Sequence, residues 1–141
     1  MPTRRRDLYT HHLPALLWMA LLTVALLVPP SPDLPDWLPR ALHFKHLDKV
    51  VHGAMFLAAG LLLARSFSRL PRLRFPALAA FVLLGAYGVA SEVAQQVWTA
   101  RNGEVADAAA DLAGAATGAG LVALATAVRE PRSEARAGRV R

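Results

Sequence analysis

Residues 91–118 constrain the fold most, because they place a dense set of polar side chains between two apolar arms. The segment reads SEVAQQVWTARNGEVADAAADLAGAATG, and its polar or charged side chains include Glu92, Gln95, Gln96, Arg101, Glu104, Asp107 and Asp111. Such a segment is either the polar tip of a soluble helical hairpin or the turn between two membrane helices. The rest of the chain favours the membrane.

The composition is too apolar for an ordinary soluble domain. Of the 141 residues, 55% are hydrophobic and only 18% are charged, whereas soluble domains carry about 25% charged residues. The absence of cysteine excludes disulfides and thiolate metal sites. The net charge of +6 is concentrated at the termini and in one connection, without the basic and aromatic stripe of nucleic-acid-binding modules. We therefore predict no nucleic-acid partner.

Four apolar runs predict an all-α fold, a four-helix transmembrane bundle. We expect the spans at about 13–28, 48–66, 75–98 and 105–128, all within one membrane domain, 13–128. Residues 1–12 form a basic N-terminus, and residues 129–141 form a basic tail that we predict to be disordered. Residues 29–47 are rich in proline and cannot span, so we expect this connection to lie in the interface.

The distribution of arginine predicts the orientation. With four spans, both termini and the 65–74 connection lie on the same side of the membrane. These segments hold twelve arginines: Arg4, Arg5, Arg6, Arg65, Arg69, Arg72, Arg74, Arg129, Arg132, Arg136, Arg139 and Arg141. By the positive-inside rule this side is the cytoplasm. We predict a multi-pass protein of the bacterial cytoplasmic membrane with both termini cytoplasmic.

Ionisable and amide side chains then converge at the opposite, outer face. They come from the start of the second span, the end of the third with its turn, and the start of the fourth: Asp48, Lys49, His52, Glu92, Gln95, Gln96, Arg101, Asp107 and Asp111. Helical spacing puts Asp48 with His52 on one face, and Glu92 with Gln96 on another. A charge at the bilayer centre costs about 2.5–3.5 kcal/mol on insertion scales, so we interpret this convergence as a functional pocket.

Glycines share these faces and predict close helix packing. Gly114 and Gly118 continue the stripe of Asp107 and Asp111, and Gly85 and Gly88 lie on roughly the same side as Glu92. Small residues at four-residue spacing let membrane helices approach closely. The acids of these stripes must then point into the bundle, where Arg101 is the obvious cation to bridge them, with Lys49 or His52 in support.

At these residues the chain resembles the VanZ-like family of bacterial membrane proteins. The resemblance rests on three short motifs: Asp48-Lys49-x-x-His52 followed by Phe56, Gly60 and Leu61; Glu92-x-x-Gln95 followed by Arg101; and Asp107-x-x-x-Asp111-x-x-Gly114-x-x-x-Gly118. Two positions depart from the pattern: Gly53 stands where the family usually has an aromatic residue, and Asp111 stands where asparagine is common. The resemblance implies a membrane fold in the cell envelope and an association with low-level resistance to the glycopeptide teicoplanin.

Three functions remain open from the sequence. The first is binding of an envelope lipid or lipid-linked cell-wall component, or of a glycopeptide-related target, with Arg101 contacting phosphate. The second is an enzyme with acid–base chemistry on Glu92 or His52, without cofactor. The third is a structural or partner-binding membrane subunit. A metal site from His43, His46, Asp48 and His52 is a weaker alternative, and we predict none, because the His-x-x-His pair precedes the helix and lacks the His-Glu-x-x-His spacing.

Overall fold

The computed structural model describes four long helices. It covers the backbone of residues 8–27, 47–98 and 105–137, and the side chains of residues 9–27, 49–97 and 105–128. The helices are α1 (Leu13–Leu27), α2 (Leu47–Phe67), α3 (Pro76–Trp98) and α4 (Val105–Ala137). One turn of wider π-helix, Leu8–His12, leads into α1. The described residues contain no strand, so the predicted all-helical fold with four long helices is confirmed.

Each helix, with α1 extended by the π-helical turn before it, provides a segment long and apolar enough to cross a membrane. These segments are Tyr9–Leu27, Lys49–Phe67, Pro76–Val97 and Val105–Val128. Large apolar side chains cover their outer surfaces, as with Leu16 and Leu124, which are more than half exposed. Lipid is the solvent in which such surfaces are stable, because it imposes no hydrophobic penalty on them. The chain is therefore built as a multi-pass membrane protein.

Local sequence sets the helix ends that can be seen. Pro76 opens α3, where its missing N–H is not needed and its fixed φ suits the first turn. At the end of α2, the backbone N–H of Ser68 donates to the carbonyl of Ala64, and three tighter hydrogen-bonded turns follow before α3. The predicted proline-rich interface segment and the turn after α3 lie mostly outside the described residues.

The fourth helix is longer than its predicted span. Its backbone stays helical to Ala137, although the sequence predicts a disordered tail from residue 129. Alanine, glutamate and arginine, all strong helix formers, make up seven of the nine residues from 129 to 137, while Pro131 is unfavourable in a helix interior by about 3 kcal/mol. The predicted end of the fourth span, at about residue 128, therefore falls within a longer helix.

Neighbouring helices in the sequence run in opposite directions. Trp18 of α1 donates its indole N–H to the carbonyl of Met55 in α2 at 3.0 Å, while His12, in the π-helical turn before α1, contacts Ser66, later in α2. Helices α2 and α4 run parallel and form the most extensive contact of the bundle. The core between the helices is built from small and apolar side chains around Phe56, Leu22 and Leu84.

Candidate functional site

Three helices bring ionisable side chains together near one end of the bundle. We call this group the polar cluster: Lys49, His52, Glu92, Asp107 and Asp111. The first two come from α2, the third from α3 and the last two from α4. Every member except Lys49 is buried, and Asp111 is only 1% exposed.

Two contacts between α2 and α4 form successive rungs of the polar cluster. The Lys49 ammonium donates to Asp107 Oδ1 at 3.0 Å, and His52 Nδ1 lies 3.1 Å from Asp111 Oδ1. The two rungs are stacked because α2 and α4 are parallel and both pairs step by about one helical turn. The Lys49 rung is nearer the helix ends, and the His52 rung is deeper.

Glu92 joins the deeper rung from the antiparallel helix α3. One potential ligand atom from each of Glu92, His52 and Asp111 lies within 4.8 Å of the other two. The second carboxylate oxygen of Asp111, Oδ2, is buried and has no hydrogen-bond partner among the described residues. Gly88 leaves room beside this oxygen, since a Cβ there would lie 3.6 Å from it. The deeper rung therefore combines an imidazole with two buried carboxylates.

The other predicted site residues divide into separate groups. Gln95 is buried, but its amide donates to the carbonyl of Leu26 in the last turn of α1 at 2.8 Å. Gln96, predicted to share a face with Glu92, is exposed instead. The side chain of Asp48 and the whole of Arg101 lie outside the described residues. The hydrogen bond of Gln95 therefore holds α1 and α3 together.

Close backbone contact occurs where Gly114 and Gly118 meet α2. A Cβ on Gly114 would overlap the carbonyl oxygen of Gly53, and a Cβ on Gly118 would overlap that of Leu57. Gly53, where the VanZ-like pattern has an aromatic residue, therefore lies at the contact between two backbones. Gly60 makes the same kind of approach, since its Cβ would lie 2.7 Å from the Ala115 carbonyl oxygen.

The predicted packing role of Gly85 and Gly88 takes a different form. A Cβ on Gly85 would meet the side chain of Leu112 at 3.1 Å, and one on Gly88 would meet the Phe56 ring at 3.4 Å. These glycines face side chains rather than a neighbouring backbone. Gly53 and Gly60 of α2 were not predicted as packing residues; Gly53 directly follows His52, and Gly60 lies about two turns deeper.

The fold and the polar cluster define a class of protein: a multi-pass membrane protein with ionisable side chains buried between its helices. Comparisons with known protein families, with curated proteins and with solved structures find no match. The resemblance to the VanZ-like family therefore rests on its three motifs. Those motifs supply all five members of the polar cluster.

Proposed function

We propose that this chain is a VanZ-like protein of the bacterial cytoplasmic membrane that binds the head group of an envelope lipid or lipid-linked cell-wall component at the polar cluster. The observation that carries the proposal is the burial of four ionisable side chains, His52, Glu92, Asp107 and Asp111, between helices that are otherwise apolar. Ionisable groups inside membrane helices are costly and usually mark a binding or transport site.

The position of the polar cluster supports a head group as the ligand. The Lys49 rung lies near the helix ends, and the Lys49 side chain remains 22% exposed. A lipid head group at the membrane surface meets this rung first, while its acyl chains stay beside the apolar outer faces of the helices. Arg101, in the connection between α3 and α4, is the expected phosphate contact because guanidinium binds phosphate in a bidentate manner.

Native mass spectrometry of the detergent-solubilised protein tests this proposal. Wild type should retain a defined lipid, and both Arg101→Ala and Glu92→Gln should lose it. The matched control is Arg65→Ala, which removes an exposed arginine from the other end of the bundle and should retain the lipid. A wild type without lipid, or equal loss in the control, contradicts head-group binding at the polar cluster.

A second candidate function is acid–base catalysis on such a lipid-linked substrate. The favouring observation is the 3.1 Å contact between His52 Nδ1 and Asp111 Oδ1 beside Glu92. A carboxylate that orients an imidazole is a common general-base arrangement. Turnover of a radiolabelled lipid-linked pyrophosphate by wild type, lost in His52→Gln while binding persists, is the expected result. Binding without product in wild type rejects catalysis on this substrate.

A purely structural role makes a different prediction. If the polar cluster serves only assembly, the double exchange Glu92→Arg with Arg101→Glu should restore expression and any teicoplanin phenotype together. Ligand binding predicts that the exchange restores expression at most, because the head group would meet charges in the wrong places. Teicoplanin susceptibility of the expressing strain, measured beside membrane protein levels, separates the two.

A further inference from the structure

We propose that His52, Glu92 and Asp111 bind one divalent transition-metal ion. Their potential ligand atoms, an imidazole nitrogen and two carboxylate oxygens, lie within 4.8 Å of one another. The three side chains are buried and come from three different helices. This set differs from the histidine-rich one considered in the sequence, because two of its members lie in the third and fourth spans, far along the chain from His52.

The distances suit a shared ion after a small adjustment. Zinc bonds to imidazole nitrogen and carboxylate oxygen are about 2.0–2.2 Å long, so two ligands of a tetrahedral ion lie about 3.4 Å apart. His52 Nδ1 and Asp111 Oδ1, at 3.1 Å, are already close to this spacing. Glu92 has a longer side chain with three rotatable bonds, so a rotamer change can bring its carboxylate to the same distance.

Charge also favours a divalent cation at this point. Two ionised carboxylates and a neutral imidazole sum to two negative charges, which one divalent ion cancels. Cancellation matters because uncompensated charge is costly among apolar helices. Asp111 Oδ2 adds a further acceptor, since it is buried without a hydrogen-bond partner among the described residues, on a residue that is 1% exposed.

The mixed ligand set indicates the class of metal. Imidazole suits zinc, iron and nickel, and carboxylate suits manganese and magnesium, so one nitrogen with two carboxylates favours Zn²⁺, Mn²⁺ or Fe²⁺ over Ca²⁺. Three protein ligands leave at least one coordination position for water or a ligand oxygen. The ion would lie below the Lys49 rung, within the bundle. This inference goes beyond lipid binding and stands without it.

Metal titration of the whole chain in lipid nanodiscs tests the inference. The protein is purified on a tag without histidine, stripped with a chelator and titrated with Zn²⁺ and Mn²⁺, and bound metal is measured by elemental analysis. The matched variants are Asp111→Asn and Asp107→Asn, the same change on the same helix four residues apart. Wild type and Asp107→Asn should bind about one equivalent, and Asp111→Asn should bind at least about tenfold more weakly.

Glu92→Gln is the second variant, used with circular dichroism in case Asp111→Asn does not fold; it should also lose affinity at least about tenfold. Absence of binding by the stripped wild type overturns the inference, and so does equal weakening in Asp107→Asn. Lipid retention is measured on the same samples by native mass spectrometry. Lipid without metal rejects only the metal site, and metal without lipid rejects only head-group binding.

Discussion

Helices α2 and α4 meet in two different ways along their length. At the polar cluster end their backbones touch, with Gly114 and Gly118 against the carbonyl oxygens of Gly53 and Leu57. Toward the other end the same helices line a cavity of about 520 Å³, with Leu61 and Arg65 among its lining residues. The two helices of this pair are thus in direct contact at one end, the closed end, and separated by a cavity toward the other, the open end.

The difference follows from side-chain size and charge. From Gly114 to Ala119 the positions of α4 that contact α2 are glycine or alanine, and the cavity lining begins with the larger side chains Leu121 and Val122. At this end of the helix pair, the ionisable groups of α2 and α4 contact one another, and all of them except Lys49 are buried. Where they line the cavity, α2 and the connection after it carry exposed arginines: Arg65, Arg69, Arg72 and Arg74. Close contact therefore coincides with paired charge, and the open end with a single sign of charge.

The largest expected effect comes from adding one methyl group at the closed end. Gly118→Ala places a Cβ against the Leu57 carbonyl and 2.8 Å from the backbone nitrogen of Leu61. Overpacking of this kind costs about 1–3 kcal/mol of unfolding free energy. Gly120→Ala is the control, because nothing lies within 4 Å of its Cβ position. Unfolding in mixed micelles measures both, and equal stability of the two variants would contradict backbone contact at Gly118.

The next largest loss of stability is expected on removing a cation from the polar cluster end of α2, and the comparison is with a cation at its other end. Lys49→Met leaves Asp107 without its 3.0 Å partner, and we expect a loss of about 1–2 kcal/mol, between exposed and fully buried ion pairs. Arg65→Met makes the same kind of change at the open end, where the side chain is exposed, and should cost less than about 0.5 kcal/mol. A larger loss of stability for Arg65→Met than for Lys49→Met, measured by unfolding, would contradict a stabilising contact between Lys49 and Asp107.

A smaller effect is expected at the two adjacent glutamines of α3. Gln95→Leu removes the hydrogen bond to the Leu26 carbonyl and should cost about 1 kcal/mol. Gln96→Leu, the same change on an exposed side chain, should leave stability within about 0.5 kcal/mol of wild type. Thermal unfolding in detergent ranks the stabilities of the two variants. A larger loss for Gln96→Leu than for Gln95→Leu would contradict the contact of Gln95 with α1.

The smallest effect concerns a hydrogen bond away from both ends. The Tyr87 hydroxyl donates to Thr23 Oγ1 at 2.9 Å, and Tyr87→Phe should cost about 0.6 kcal/mol, the average for side-chain hydrogen bonds between membrane helices. Tyr9→Phe alters the other tyrosine, which is 57% exposed, and serves as the control. If the unfolding curves of the two variants coincide, this hydrogen bond contributes nothing to the stability of the bundle.

The sequence predicts the positions of the helices along the chain better than it predicts which residues of different helices contact one another. Runs of apolar residues set the four helices, because a membrane segment must be long, helical and apolar. The helix ends that carry polar side chains are also readable, which is why His52, Glu92 and Asp111 are predicted to converge at one face of the membrane. The rotation of α3 is not readable: Gln95 and Gln96 have the same chemistry, and only the placement of α1 decides which is buried.

Glycine roles show the same limit. Gly114 and Gly118 continue a stripe of acids, so their helix face can be assigned from spacing. Whether a glycine meets a backbone or a side chain depends on the partner helix, which the spacing does not contain. Gly53 and Gly60 meet backbone, whereas Gly88 meets the Phe56 ring.

The membrane orientation also stays a prediction from the positions of arginine.

Cysteine labelling tests most directly the central claim, that the polar cluster opens to the outside and the arginines face the cytoplasm. The chain contains no cysteine, so a single introduced cysteine is the only thiol that the reagent can label. Asn102→Cys lies in the connection between α3 and α4, and Ser68→Cys lies in the turn after α2, where the side chain is exposed. A membrane-impermeant maleimide should label Asn102→Cys in intact spheroplasts and Ser68→Cys only after permeabilisation. The reverse pattern would put the polar cluster on the cytoplasmic side and contradict an outer-leaflet ligand.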